Sequence, residues 1–277
     1  MAGSLIDRAL GILEVLAQNA RGLPLQDIAR HLDIPKSAAH RILGDLARRR
    51  YVRQDQATGR YLLTTRLTSL GFRYLADSGI VDIAQPVLDR LAAETGELAR
   101  LGVIDGERQT WVAKAQGARS GLRYDPDMGM EAPLSCTASG HAWLACLTDE
   151  EAIELTVRQG FGRPDEYGPN APRTIKALQA RLKQARARGY SWVVDSSAPG
   201  TSAMAAAIRH PVTQGVVGVI SVAGPSARLT EARMHALAPV LRAAAADLSE
   251  ACDGSEYLMQ ASRSFEQRAD ARIASVG

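Results

Sequence analysis

Between Pro35 and Arg50 the sequence reads PKSAAHRILGDLARRR, and helical spacing sorts it into two unlike faces. Ala39, Ile42, Leu43 and Leu46 fall on one side, and Ser37, His40, Arg41, Gly44 and Arg48 on the other. The apolar stripe demands a core to lie against. A face of Ser, His and Arg suits donation to phosphates and base edges, with Gly44 leaving room for close approach. Taken alone, such a helix also suits a solvated surface, so its neighbours decide. Upstream, Leu25, Ile28, Ala29 and Leu32 form a shorter amphipathic segment, broken by Asp33-Ile34-Pro35. Two helices joined by a short turn, the second carrying the basic face, predict a helix-turn-helix whose second helix enters the major groove.

The flanking segments complete the unit. Ser4 to Asn19 starts with a Ser cap and Asp7 three residues on, and places Leu5, Ala9, Ile12, Leu13 and Leu16 on one face, as a helix would. After Arg50, Tyr51-Val52-Arg53-Gln54 and Arg60-Tyr61-Leu62-Leu63 alternate about a turn at Asp55 to Gly59, which predicts a hairpin. The expected domain is a winged helix-turn-helix over residues 1–66. Lys36, Ser37, Ala38, His40 and Arg41 would face the major groove, Arg48 the DNA backbone, and Arg60 on the wing the minor groove or backbone. Charge follows this division. Residues 1–66 hold 11 Lys or Arg against 6 Asp or Glu, a net of +5, while the remainder holds 22 against 24, a net of −2. Each phosphate that this basic excess neutralises releases counterion, so binding should weaken steeply with salt.

At 277 residues the chain is long enough for two domains. Residues 67–80 suit a linking helix, with Leu67, Leu70, Tyr74 and Leu75 on one side. A second domain is expected over 81–252. It opens with a helix from Asp82, its cap, to Thr95, followed by a hairpin of Leu98–Ile104 and Gln109–Ala115 around Asp105-Gly106. Helices over 136–147, 149–158 and 174–188, strands over 190–194, 202–210 and 216–222, and a final helix over 230–251 follow. This mixed order predicts an α+β fold with a largely antiparallel sheet. Residues 253–277 read as a polar, alanine-rich tail with room for one more helix. No apolar run approaches the roughly 18 residues of a membrane span, and the N-terminus lacks a signal peptide's apolar stretch, so a cytoplasmic location is expected. Cys136, Cys146 and Cys252 show no metal-ligand spacing and no even disulfide set; neither metal nor cofactor is expected.

With these segments in view, the chain resembles the IclR family of bacterial transcriptional regulators. SLIDRALGILEVLAQ, LPLQDIARHLDIPKSAAHRIL and GRYLLT look like its DNA-binding half. PLSCTASGHAWLA (Pro133 to Ala145) and GVISVAGPSARLT (Gly218 to Thr230) look like the two segments that mark its effector-binding domain, so the likeness runs from about residue 4 to 250. The resemblance implies a GAF-like second domain and a regulator that binds double-stranded operator DNA as a homodimer or dimer of dimers. It would repress a catabolic operon until a small organic or aromatic acid releases it, or act as a ligand-dependent activator.

The ligand site can be sketched in the same terms. Small and hydroxyl residues in Ser135-Cys136-Thr137-Ala138-Ser139-Gly140-His141, at a helix start, leave N–H groups free for a carboxylate, though they equally suit plain capping. By the resemblance, Ala138, Ser139 and Gly140 contact the effector, Asp195, Thr201, Ala203 and Ser221 close the pocket, and Tyr124, Met128, Met130 and Ala132 form its apolar wall. Where many members carry polar groups, this chain has Ala203-Met204-Ala205-Ala206-Ala207-Ile208 and Ala223. That departure predicts a ligand less polar, or larger, than a two- or three-carbon keto acid.

A hydrolase is the competing class, with Cys136, His141 and Asp195 as nucleophile, base and orienter. The sequence lacks a G-x-S-x-G elbow, a Gly-rich phosphate loop after a strand, H-E-x-x-H and C-x-x-C, so no catalytic role is expected.

Overall fold

The structure, a computed structural model, describes residues 4–126, 128–163 and 165–263. The chain divides into two compact units, Met1–Asp77 and Ser78–Gly277.

In the first unit, α1 (Leu5–Ala17) starts from a reciprocal cap: Ser4 Oγ accepts the Asp7 N–H at 3.1 Å, and Asp7 Oδ2 accepts the Ser4 N–H at 2.7 Å. α2 (Leu25–His31) and α3 (Lys36–Arg48) are separated by a turn in which Asp33 adopts a φ of 50° and Pro35 leads into α3. A proline there costs nothing, because the first helical N–H groups lack intrahelical partners anyway. Ile12, Leu16, Ile28, Ile42 and Leu43 pack together with Val52 and Tyr61 of the hairpin. β1 (Val52–Gln54) and β2 (Tyr61–Leu63) form that hairpin, pairing antiparallel from Val52–Leu63 to Gln54–Tyr61. α4 (Thr65–Asp77) ends the unit. The linking helix expected over 67–80 thus starts two residues earlier and stops before Ser78 and Gly79, whose φ of 67° is left-handed.

The second unit begins with α5 (Ile80–Thr95), which follows Gly79 directly instead of starting from the Asp82 cap, and closes at Gly96. β3 (Leu98–Asp105), β4 (Arg108–Gln116), α6 (Ala138–Leu144), α7 (Asp149–Gln159), α8 (Ile175–Arg188), β5 (Ser191–Val194), β6 (Thr201–Arg209), β7 (Val216–Pro225) and α9 (Glu231–Glu250) follow. The five strands lie in the order β4-β3-β7-β6-β5, every neighbouring pair antiparallel. All ten residues of β7 are buried, so both faces of the sheet are covered. α6 and α8 lie on the face that carries Ala205 and Val219, where Leu134, Ala138, Trp143, Leu178 and Leu182 complete a core. α5 and α9 pack on each other and on β3, β4 and β6 across the sheet.

α6 is shorter than the helix expected over 136–147. Thr137 is its cap, extended and with Oγ1 accepting the Gly140 N–H at 2.9 Å, while Cys136 belongs to the turn that precedes it. After α9, Cys252–Gly254 forms a single 3₁₀ turn and a helical stretch runs from 256 to 263. The rest of the expected tail, 264–277, lies outside the described residues. Among the described residues no helix is long and apolar enough to cross a membrane.

Candidate DNA-reading face and effector cavity

The apolar stripe of α3 is spent on the core: Ala39, Ile42 and Leu43 are buried. Its opposite face is solvent. Lys36, Ser37, His40, Arg41, Gly44 and Arg48 are exposed and Ala38 is half-buried, so the residues expected to meet a groove project from the N-terminal turns of one helix. Arg48 is paired with Asp45 one turn before it. On the wing, the Asp55 carboxylate accepts the Ala57 N–H at 2.9 Å and the Thr58 hydroxyl at 3.0 Å. The Ala57 bond first, and the Thr58 bond next, hold its pKa below the usual carboxylate range. Arg60 is exposed, yet its Nη1 donates to the Gly22 carbonyl at 2.9 Å. That wing arginine is therefore braced against the body of the unit.

In the second unit a cavity of about 190 Å³ opens between the sheet and the segment leading into α6. Arg100, Trp111, Ala203 and Ala223 line its sheet side, Thr137, Ala138 and Ser139 its helix side, and Tyr124, Pro126, Met130, Glu131 and Pro133 the connection between β4 and α6. Gln159 of α7 fixes that connection, accepting the Leu134 N–H at 2.6 Å and donating to the Ala132 carbonyl at 3.0 Å. Gly140 lets the helix sit against it: a Cβ there would stand 2.5 Å from Leu134 Cα.

Of the expected pocket residues, Tyr124, Met130, Ala138, Ser139, Thr201 and Ala203 line this cavity. Met128, Ala132, Gly140, Asp195 and Ser221 are absent from its wall, and the last four each have a different task. Ala132 is fully buried with its N–H on the Gln109 carbonyl at 2.7 Å, and Gly140 provides the close approach to Leu134. Asp195 shapes the turn between β5 and β6, with a φ of 49° and Oδ1 accepting the Gly200 N–H at 2.7 Å. Ser221 is buried on β7 beside β3, its hydroxyl 3.5 Å from the Arg100 carbonyl oxygen.

Sequence reasoning missed Arg100. It is 4% exposed, and its Nε and Nη1 are buried without a hydrogen-bond partner among the described residues. No acidic side chain among them pairs with it either; the one acidic residue on the cavity wall, Glu131, is taken by Arg108. The guanidinium carbon lies 3.9 Å from the Trp111 ring centroid and 5.9 Å from that of Tyr124. Burial lowers the Arg100 pKa to about 10, which leaves it charged at neutral pH. The signal was present in Leu98-Ala-Arg-Leu-Gly-Val-Ile104: one charge inside an apolar run that pairs on both sides cannot reach solvent.

The residues considered for a hydrolase do not assemble one. His141 is 1% exposed and its Nε2 lies 2.8 Å from the Ser135 carbonyl, which makes that nitrogen the protonated donor. Burial lowers the imidazole pKa to about 4 and raises the Cys136 thiol to about 12, both away from a thiolate–imidazolium pair. His210, Cys252 and Asp253 bring three possible metal-ligand atoms within 4.8 Å. There His210 Nδ1 accepts the N–H groups of Val212 at 3.3 Å and Thr213 at 3.2 Å, so Nε2 carries the proton and donates to Asp253 at 3.1 Å. This is a turn-capping histidine with neither nitrogen free for a metal.

A winged helix-turn-helix followed by an α+β unit with a cavity is the build of a one-component regulator, and comparison with known proteins agrees. The family model for the bacterial transcriptional regulator IclR C-terminal domain matches residues 72–250, and that for the IclR helix-turn-helix domain matches residues 5–56. The chain belongs to the IclR family of bacterial transcriptional regulators. It is 32% identical over 244 residues to the HTH-type transcriptional regulator BhcR of Paracoccus denitrificans, covering 88% of this chain and 85% of BhcR. It is 28% identical over 246 residues to the HTH-type transcriptional repressor AllR of Escherichia coli K12, covering 89% of each. Among solved structures, the IclR regulator of Alicyclobacillus acidocaldarius superposes with a TM-score of 0.77 at 24% identity, over 90% of this chain and 99% of that one. An IclR homologue of Microbacterium hydrocarbonoxydans complexed with 4-hydroxybenzoate superposes at 0.72 and 21% identity, over 89% and 98%.

Proposed function

We propose that the protein is a cytoplasmic homodimer that represses a catabolic operon and is released when a small organic or aromatic acid enters the cavity of its second unit. The observation that carries the DNA half is the solvent face of α3, where Lys36, Ser37, His40 and Arg41 stand exposed while Ala39, Ile42 and Leu43 fix the helix to its core. Lys36, Ser37, Ala38, His40 and Arg41 read the major groove; Arg48 and Arg60 hold the phosphates. The effector half rests on the cavity, with Tyr124, Met130, Ala138, Ser139, Thr201 and Ala203 contacting the ligand. AllR bears the name of a repressor, and the Microbacterium homologue holds an aromatic acid; both support this reading. The acid acts by binding one of two pre-existing arrangements of the reading heads more tightly than the other.

The test is fluorescence anisotropy on duplex DNA from upstream of the protein's own gene, against a scrambled duplex, over a salt series. The upstream duplex should bind at least about 1,000-fold more tightly, with affinity falling steeply as salt rises. Equal, weak binding to this and to every other duplex from the surrounding genes would refute it.

A further inference from the structure

We propose that Arg100 is the anchor for the effector's carboxylate and that it restricts the effector to a single-headed acid with a flat apolar body. The inference rests on the effector-responsive reading above and adds the chemical class and the residue that sets it. A guanidinium 96% removed from solvent, with two nitrogens that have no hydrogen-bond partner among the described residues, is a costly group to keep in a fold. It lines the cavity wall, stacked on Trp111, so the anion that satisfies it comes from the cavity.

The rest of the wall limits what that anion is attached to. Arg100 is the only cation among the described cavity-lining residues and Glu131 is an acid, so a second carboxylate would find no second cation, only hydroxyl donors, and one repulsive neighbour. Trp111, Tyr124, Pro126, Met130 and Pro133 offer apolar and aromatic surface for the body of the ligand. A cavity of about 190 Å³ exceeds the roughly 150 Å³ that accepts a benzene ring, leaving space for one carboxylate beside the ring. Position also matters. Arg100 pairs with Lys114 on β4 and Ser221 on β7, so its backbone is held between two strands.

Isothermal calorimetry on the full chain tests the assignment with benzoate, its neutral isostere benzamide and the diacid phthalate, on wild type, Arg100→Gln and Arg100→Lys. Wild type should bind benzoate at least about 30-fold more tightly than either benzamide or phthalate. Arg100→Gln should lose about that factor for benzoate and no longer distinguish it from benzamide, while Arg100→Lys retains part of the preference. The melting temperature of Arg100→Gln without ligand should equal or exceed that of wild type, because an orphan charge has been removed; that separates lost binding from lost folding. Benzoate binding unchanged in Arg100→Gln, phthalate binding as well as benzoate, or no benzoate binding to wild type would each overturn the proposal. The two readings fail separately. Arg100-dependent benzoate binding without effect on DNA affinity removes the effector role alone, and release from DNA by a neutral ligand removes only the role of Arg100.

Discussion

Arg228 holds Glu97 through two nitrogens, Nε to Oε1 at 2.5 Å and Nη2 to Oε2 at 2.8 Å, with Glu97 only 1% exposed. The pair ties the segment after β7 to the turn between α5 and β3, and the Arg228 Nη1 also donates to the Leu122 carbonyl at 3.0 Å. Gly224 makes room for it, since a Cβ there would lie 2.4 Å from Glu97 Oε2. Arg228→Ala strands a buried carboxylate with Arg233, 3.9 Å away, as its remaining cation. The expected loss is about 2–3 kcal/mol by urea denaturation, less than for a fully enclosed pair because Arg228 is a third exposed. A loss below about 0.5 kcal/mol would show that solvent already screens the contact.

Gly140→Ala tests how tightly α6 is seated. The new methyl would lie 2.5 Å from Leu134 Cα and 2.6 Å from the Leu134 oxygen, backbone atoms that cannot swing aside. The variant should lose about 1–3 kcal/mol of stability, and acid binding should weaken as the helix lifts from the cavity. Unchanged melting and binding would mean that this close approach relaxes freely.

His141 predicts an acid-sensitive second unit. Its folded pKa of about 4 lies below the ordinary value of 6.5, so between these the unfolded chain takes up a proton that the folded chain refuses. The unfolded state binds more protons in that window, and stability therefore rises with pH through it. The contribution is complete above about pH 6.5 and declines by about 3 kcal/mol as pH falls toward 4. His141→Gln keeps a donor for Ser135 without the titration. It should flatten the acid limb of a melting-temperature profile, and an identical limb in the variant would assign the loss to other groups.

Arg41 stands on the solvent face of α3, one turn from Ser37. Arg41→Ala should weaken operator binding by about 1–3 kcal/mol and relax preference at one base-pair position. Equal losses on operator and scrambled duplex would make Arg41 a phosphate contact. Arg60→Ala, which also removes the bond to Gly22, should weaken both duplexes alike.

The DNA-binding unit was readable because its information is local. Ala39, Ile42 and Leu43 recur at helical spacing, Ser4 and Asp7 mark a helix start, and Gly59 closes a wing turn with a left-handed φ of 68°. The antiparallel sheet followed from strand runs such as Val216–Val222, although β7 runs on to Pro225. The candidate effector cavity was only half legible. Ser139 and Ala138 were flagged by composition near a helix start, and they line it; Asp195 and Ser221 have chemistry suited to a ligand but serve a turn and a strand. Arg100 needed long-range information. That its side chain lies over Trp111 depends on a register shift between Leu101 and Gly102, which brings Trp111 opposite Gly102. Periodicity along one strand does not contain that pairing.

If occupancy of the cavity and grip on DNA are one coupled equilibrium, the coupling is reciprocal. The most direct measurement is therefore a pair of titrations with benzoate as the probe: operator affinity by anisotropy with and without saturating benzoate, and benzoate affinity by calorimetry with and without saturating operator. Benzoate should weaken operator binding by about 5- to 150-fold, and operator should weaken benzoate binding by the same factor. Benzoate bound in the cavity with both affinities unchanged would contradict the coupling.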